Sequence, residues 1–134
     1  MAGIDDIRHA VMKALLNGLS LPEGATRVSG ASASDISSTT PVAVIANAAI
    51  PSGKKLYIQK AYFTNHTAAE TPMITIQSLT TNTPVCAAAL NGIDNVTLDF
   101  GVQGIQVPDA AEGVEALADS ATGDCRVSVI GYYK

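Results

Sequence analysis

Few side chains in this sequence are of the kinds that carry chemistry, and their spacing excludes most of it. The two histidines, His9 and His66, lie more than a domain element apart with no second ligand pair beside either, so no zinc or copper site is expected. A Ser-His-Asp arrangement around His66 would lack the Gly-x-Ser-x-Gly elbow that exposes a serine nucleophile. Gly53-Lys54-Lys55 imitates a phosphate loop poorly: no Ser or Thr follows the lysine, and alanine stands at position 48 where the leading glycine belongs. It reads as a turn entering a strand. Asp94, Asp99, Asp109, Glu112, Glu115, Asp119 and Asp124 offer the hard oxygens calcium takes, but not at EF-hand spacing, so they read as solvated loop carboxylates. Tyr57 and Tyr62, placed by parity on opposite faces of one strand, are the candidate contacts for a sugar ring, in a chain without tryptophan. No catalytic residue, cofactor or metal site is assigned, and the expectation is a protein that is not an enzyme.

Composition narrows the classes further. A length of 134 residues suits one domain, and 47% hydrophobic with 15% charged residues supports a real core. Aromatics are 4%, and alanine swells the apolar count, which suits close sheet packing or a subunit interface. The net charge of −4 and a pI of about 4.9 leave no basic cluster to displace counterions from nucleic acid. Charge is uneven: Lys54, Lys55 and Lys60 crowd one segment, whereas residues 91–134 set seven carboxylates against Arg126 and Lys134. Cys86 and Cys125, each alone in an apolar strand context, are expected as free buried thiols. No secretory leader is expected, because Asp5, Asp6 and Lys13 interrupt the opening apolar run, and no stretch approaches a membrane span. The sequons at Asn65 and Asn95 are therefore read as idle.

These residues need elements to hold them. Residues 1–20 read as an amphipathic helix with Ile4, Ile7, Val11 and Leu15 along one stripe, acidic residues in the first turn and Gly18 at the stop. Residues 21–40, rich in Ser, Ala, Gly and Thr, read as a flexible linker, making the helix an arm that reaches a neighbour. From residue 41 to 134 the pattern is all β. Strands are expected at 41–50, 56–65, 72–79, 85–90, 95–102, 105–107, 114–118 and 125–133, separated by turn residues such as Asn91-Gly92. The strand after Pro51-Ser52-Gly53 swaps its apolar parity between Leu56, Ile58 and Ala61, Phe63, which marks either a bulge or a bend from one sheet into the other. Eight short strands without helical crossovers mean a mainly β, antiparallel β-sandwich, with jelly-roll topology preferred.

The segment Ile50-Pro-Ser-Gly-Lys-Lys-Leu-Tyr-Ile-Gln, the run from Asp99-Phe-Gly to Gly104-Ile105-Gln-Val and the ending Arg126-Val-Ser-Val-Ile-Gly-Tyr-Tyr-Lys134 resemble small β-sandwich virion proteins of tailed bacteriophages. These include capsid cement (decoration) proteins and head-fibre domains. The likeness covers roughly residues 41–134. It implies a jelly-roll-like sandwich, a homotrimer, attachment to the major capsid protein and a place in the virion, assembled in the host cytoplasm. The arm would then be the anchor. The alternative is a receptor- or glycan-binding module of a phage fibre or tail, using Tyr57, Tyr62 and the acidic loops.

Overall fold

In a computed structural model, residues 21–68, 70–119 and 124–134 are described. The helical arm expected over 1–20, with Ile4, Ile7, Val11 and Leu15, lies outside the described residues.

Nine strands follow in order: β1 Thr26–Ala31, β2 Val42–Ile45, β3 Leu56–Asn65, β4 Met73–Ser78, β5 Pro84–Ala89, β6 Asp94–Asp99, β7 Ile105–Gln106, β8 Val114–Ala118 and β9 Cys125–Tyr133. One sheet has the order β1-β9-β3-β6, with β7 continuing beside β3, and the other has β2-β8-β4-β5. Every pairing is antiparallel. With the two-residue β7 set aside, successive strands alternate between sheets in the wrapped double Greek key, which is the strand order of a jelly roll.

The core lies between the sheets. Leu56, Ile58, Ala61 and Phe63 of β3 and Cys125, Val127 and Val129 of β9 meet Ile74 and Ile76 of β4 and Val114 and Ala116 of β8, all fully buried. Each large apolar side chain there contributes about 1.5–3 kcal/mol through area removed from water.

The parity swap in β3 is a bulge, not a change of sheet. Ile58 pairs with Gly131 and Lys60 with Ile130, so Gln59 is the extra residue, and β3 stays in one sheet throughout. Gln59 is buried; its side-chain amide donates to the Val102 carbonyl at 2.8 Å, and its own carbonyl accepts from Phe100 N–H. The bulge thereby anchors the turn after β6.

The expected linker over 21–40 is not one. β1 occupies residues 26–31 and pairs along β9, while Ile36 is fully buried and bridges Cys125. The Ser-rich composition misled because β1 is an edge strand with one sizeable apolar residue, Val28, turned inward. Small residues serve packing here: a Cβ on Gly30 would run into the Val44 carbonyl oxygen, so glycine lets β1 close against β2. Two expected strands are also shorter. The 41–50 segment stops at Ile45 and makes a 3-10 turn over Asn47–Ala49, and the 95–102 segment ends at Asp99 before a turn containing Gly101 at φ 75°.

Candidate interaction surfaces

The polar residues that suggested chemistry are spent on tying loops together. Glu112, 5% exposed, accepts from the backbone N–H groups of Thr80 (2.6 Å) and Thr81 (2.8 Å) and from the Thr81 hydroxyl, which also reaches Asp109. Glu115 accepts from the Gln77 amide. Asp94 accepts from the N–H groups of Asn91 and Asn95, Asp99 from that of Gly101, and Asp119 from that of Met73. Among the described residues no three metal-ligating side chains gather. His66 sits exposed in the β3–β4 loop, its N–H donating to the Asp124 carbonyl. Asn65, 1% exposed, spends its side chain on Gly92, Thr67 and Glu70, which accounts for the idle sequon.

Both cysteines are free, Cys125 buried with its thiol toward the Asn65 side-chain oxygen and Cys86 half-buried. Burial pushes the Cys86 thiol up to about 11.

The two tyrosines are not on opposite faces. Because Gln59 adds one residue, Tyr57 and Tyr62 both face away from the core, on the outer side of the β1-β9-β3-β6 sheet. Tyr57 stacks on Tyr132 at 4.8 Å with planes 8° apart, and its hydroxyl accepts from the Gln106 amide at 2.8 Å. Tyr132 is buried and donates to the Gln103 carbonyl; desolvation, with Tyr57 beside it, raises its phenol above the ordinary value. Tyr62 is half-buried between Ser128 and Thr97.

The β2-β8-β4-β5 sheet presents a different outer face. Ile74 and Ile76 point inward, so Met73 and Thr75 point out, joined by Leu117 of β8 and by the exposed Ala87 and Ala89 of β5. Met73 is 44% exposed, and Ile93, in the turn after β5, is 70% exposed. Residues 71–93, which span β4, β5 and both flanking turns, contain no Asp, Glu, Lys or Arg. A solvated hairpin at a sheet edge ordinarily carries charge; depletion of charge beside small apolar residues is the composition of a covered surface. That charge gap was a signal available in the sequence, and alternation analysis passed over it. Charge gathers instead at the two ends of the sandwich: Glu70, Asp94, Asp119 and Asp124 at one, Lys54, Lys55 and Lys134 at the other. No helix of the described residues is long and apolar enough to cross a membrane.

No family model matches the chain, and no curated protein does. Among solved structures it is similar to a chain of the virus-like particle of the giant freshwater prawn Macrobrachium rosenbergii extra small virus. That match has 11% identity, a TM-score of 0.39 and coverage of 85% of this chain and 81% of the other. It is also similar to the coat protein of Tobacco streak virus, at 21% identity and a TM-score of 0.44, over 87% and 88% of the two chains. The functional argument therefore rests on the molecule's own surfaces.

Proposed function

We propose that this chain is a structural virion subunit, a non-enzymatic capsid cement protein that stabilises a bacteriophage head by oligomeric binding to the major capsid protein. The observation that carries this reading is the uncharged 71–93 hairpin, exposed at a sheet edge with Met73, Ala87 and Ala89 on its outer face. A surface of this composition is stable in water when another protein covers it. The jelly-roll strand order supports the reading by analogy, since capsid domains use that architecture, and the resemblance of residues 41–134 to phage virion proteins points the same way. In this reading the arm side chains Ile4, Ile7, Val11 and Leu15 bury apolar area on a neighbour, trimers form around a three-fold axis, and many copies on a shell multiply modest contacts.

The test is co-sedimentation of the purified protein with heads that lack it, beside an arm variant carrying Ile7→Asp and Val11→Asp. The wild type should pellet with heads and raise their thermal stability. The variant should keep its β circular-dichroism signal and lose retention, because unpaired charges are not tolerated at an apolar contact. Absence of wild-type binding to heads would sink the cement assignment, and normal binding of the variant would remove the arm from it.

A second reading, a receptor- or glycan-binding module of a phage fibre or tail, gains one observation. The bulge at Gln59 sets Tyr57 and Tyr62 on one outer face with Lys60 between them in sequence. Saturable sugar binding by the isolated protein, lost in Tyr62→Ala, would favour this reading over cement.

A further inference from the structure

The four outermost strands of the two sheets are not protected alike. β1 and β2 close against each other: Ala33 N–H donates to the Ala43 carbonyl, and Gly30 leaves room for the Val44 carbonyl. β6 is bounded by Asp94 and Asp99 and lies in line with β7. β5 hydrogen-bonds to β4 alone among the described residues, and it has neither a charge nor a covering segment. Its defences are Pro84 and the irregularity opposite Gln77, both at one end, so Val85–Ala89 is left open.

The ladder shows which backbone groups face outward. Leu90 N–H donates to the Pro72 carbonyl, so the pairs Ile74 with Ala88 and Ile76 with Cys86 are also hydrogen-bonded ones. The alternate residues of β4 bond the other way, as Met73 does with Asp119 of the β8 side. It follows that the N–H and C=O groups of Val85, Ala87 and Ala89 point from β5 into open space. Ala87 and Ala89 are also the exposed residues of the strand, with no side chain large enough to keep another backbone away.

We infer that this edge takes a second copy of the same chain, β5 to β5, antiparallel about a two-fold axis through Ala87. The inference rests on the structural-subunit reading and names the contact that reading leaves open. About this axis Ala87 of one copy faces Ala87 of the other, and Val85 faces Ala89, all in hydrogen-bonded positions. The two four-stranded sheets become one continuous sheet, with the small outer side chains of β5 at its centre. Charge favours the antiparallel sense. It carries the acidic end of one copy, with Glu70 and Asp94 near β5, away from the acidic end of the other, whereas a parallel pairing would set them side by side. The contact links copies pairwise, and it is separable from three-fold association.

Ala87→Lys tests it. The new side chain projects from the exposed outer face, leaves the β4 ladder intact, and places two ammonium groups directly opposite each other in the paired state. Native mass is measured by sedimentation equilibrium on wild type and variant at equal concentration. The variant's native mass should be half that of the wild type, with unchanged circular dichroism and unfolding midpoint. Ala87→Pro, which removes an outward N–H but none donated to β4, should have the same effect on mass. Equal masses for wild type and both folded variants would overturn the inference. Binding to heads, measured in parallel, reports on the function alone: heads bound without pairing would sink the β5 contact and spare the cement reading, and pairing without head binding would do the reverse.

Discussion

Replacing Glu112 by alanine removes the single group that joins the β4–β5 turn to the β7–β8 loop. Its carboxylate, 5% exposed, accepts two backbone N–H groups at 2.6 and 2.8 Å and a hydroxyl at 3.1 Å. Hydrogen bonds to a charged acceptor contribute roughly 1.5–3 kcal/mol each, and a buried donor left unpaired loses about 1–3 kcal/mol. Thr81 is exposed, so water can reach part of the vacated site and only a fraction of that total is lost. The expected destabilisation is about 2–4 kcal/mol for Glu112→Ala. Glu112→Gln keeps one oxygen for the two N–H groups and should lose only about 1 kcal/mol. Urea unfolding followed by far-ultraviolet circular dichroism, with linear extrapolation, gives both values. A Glu112→Ala loss below about 0.5 kcal/mol, or an equal loss in both variants, would show that the turn holds its conformation without the carboxylate.

Three further outcomes follow from the packing. Gly30→Ala drives a methyl group into the backbone carbonyl of Val44, which cannot swing aside, so a loss of about 1–3 kcal/mol is expected in the same unfolding assay; an unchanged midpoint would show that the β1–β2 junction is looser than its geometry. Cys86, its thiol pushed from 9.0 up to about 11, should be about one-thousandth thiolate at pH 8, and Cys125 is fully buried, so a thiol reagent should label the native protein far more slowly than the denatured one. The folded state holds the Cys86 proton that the unfolded state releases earlier, so the stability this thiol contributes is present below pH 9 and lost as pH rises toward about 11; a midpoint that climbs across that window through this residue, tested against Cys86→Ser, would contradict the assignment. Deleting residues 1–20 should leave a cooperative β unfolding transition, because all nine strands lie beyond the deletion; its loss would mean that the segment belongs to the sandwich core.

How much of this was legible beforehand depended on whether a local pattern carried the information. β8 and β9 fall at the expected boundaries, because Val114, Ala116, Ala118 and Cys125, Val127, Val129 alternate without interruption. The parity swap between Ile58 and Ala61 announced an irregularity, but two devices give the same swap in sequence. The partner strand chose between them: Gly131 and Ile130 pair around Gln59, and that pairing also brought Tyr57 and Tyr62 to one face. β1 was illegible for a related reason. Thr26–Ala31 has almost no apolar alternation, and it is a strand because β9 offers it hydrogen bonds along its length.

By itself the sequence determined the β class, most strand positions, the absence of spacing for a metal or nucleophile, and the charge gap over 71–93. Those properties are written in neighbours along the chain, at periods of two or in runs of one composition. The tertiary structure decided which edges close and which stay open. Ala-rich β5 and Ser-rich β1 look equally unremarkable in sequence, yet Gly30 lets β1 meet β2 while β5 is left with the groups of Val85, Ala87 and Ala89 pointing outward. An edge is defined by what does not lie beside it, and that is fixed only when distant segments have taken their places in the two sheets.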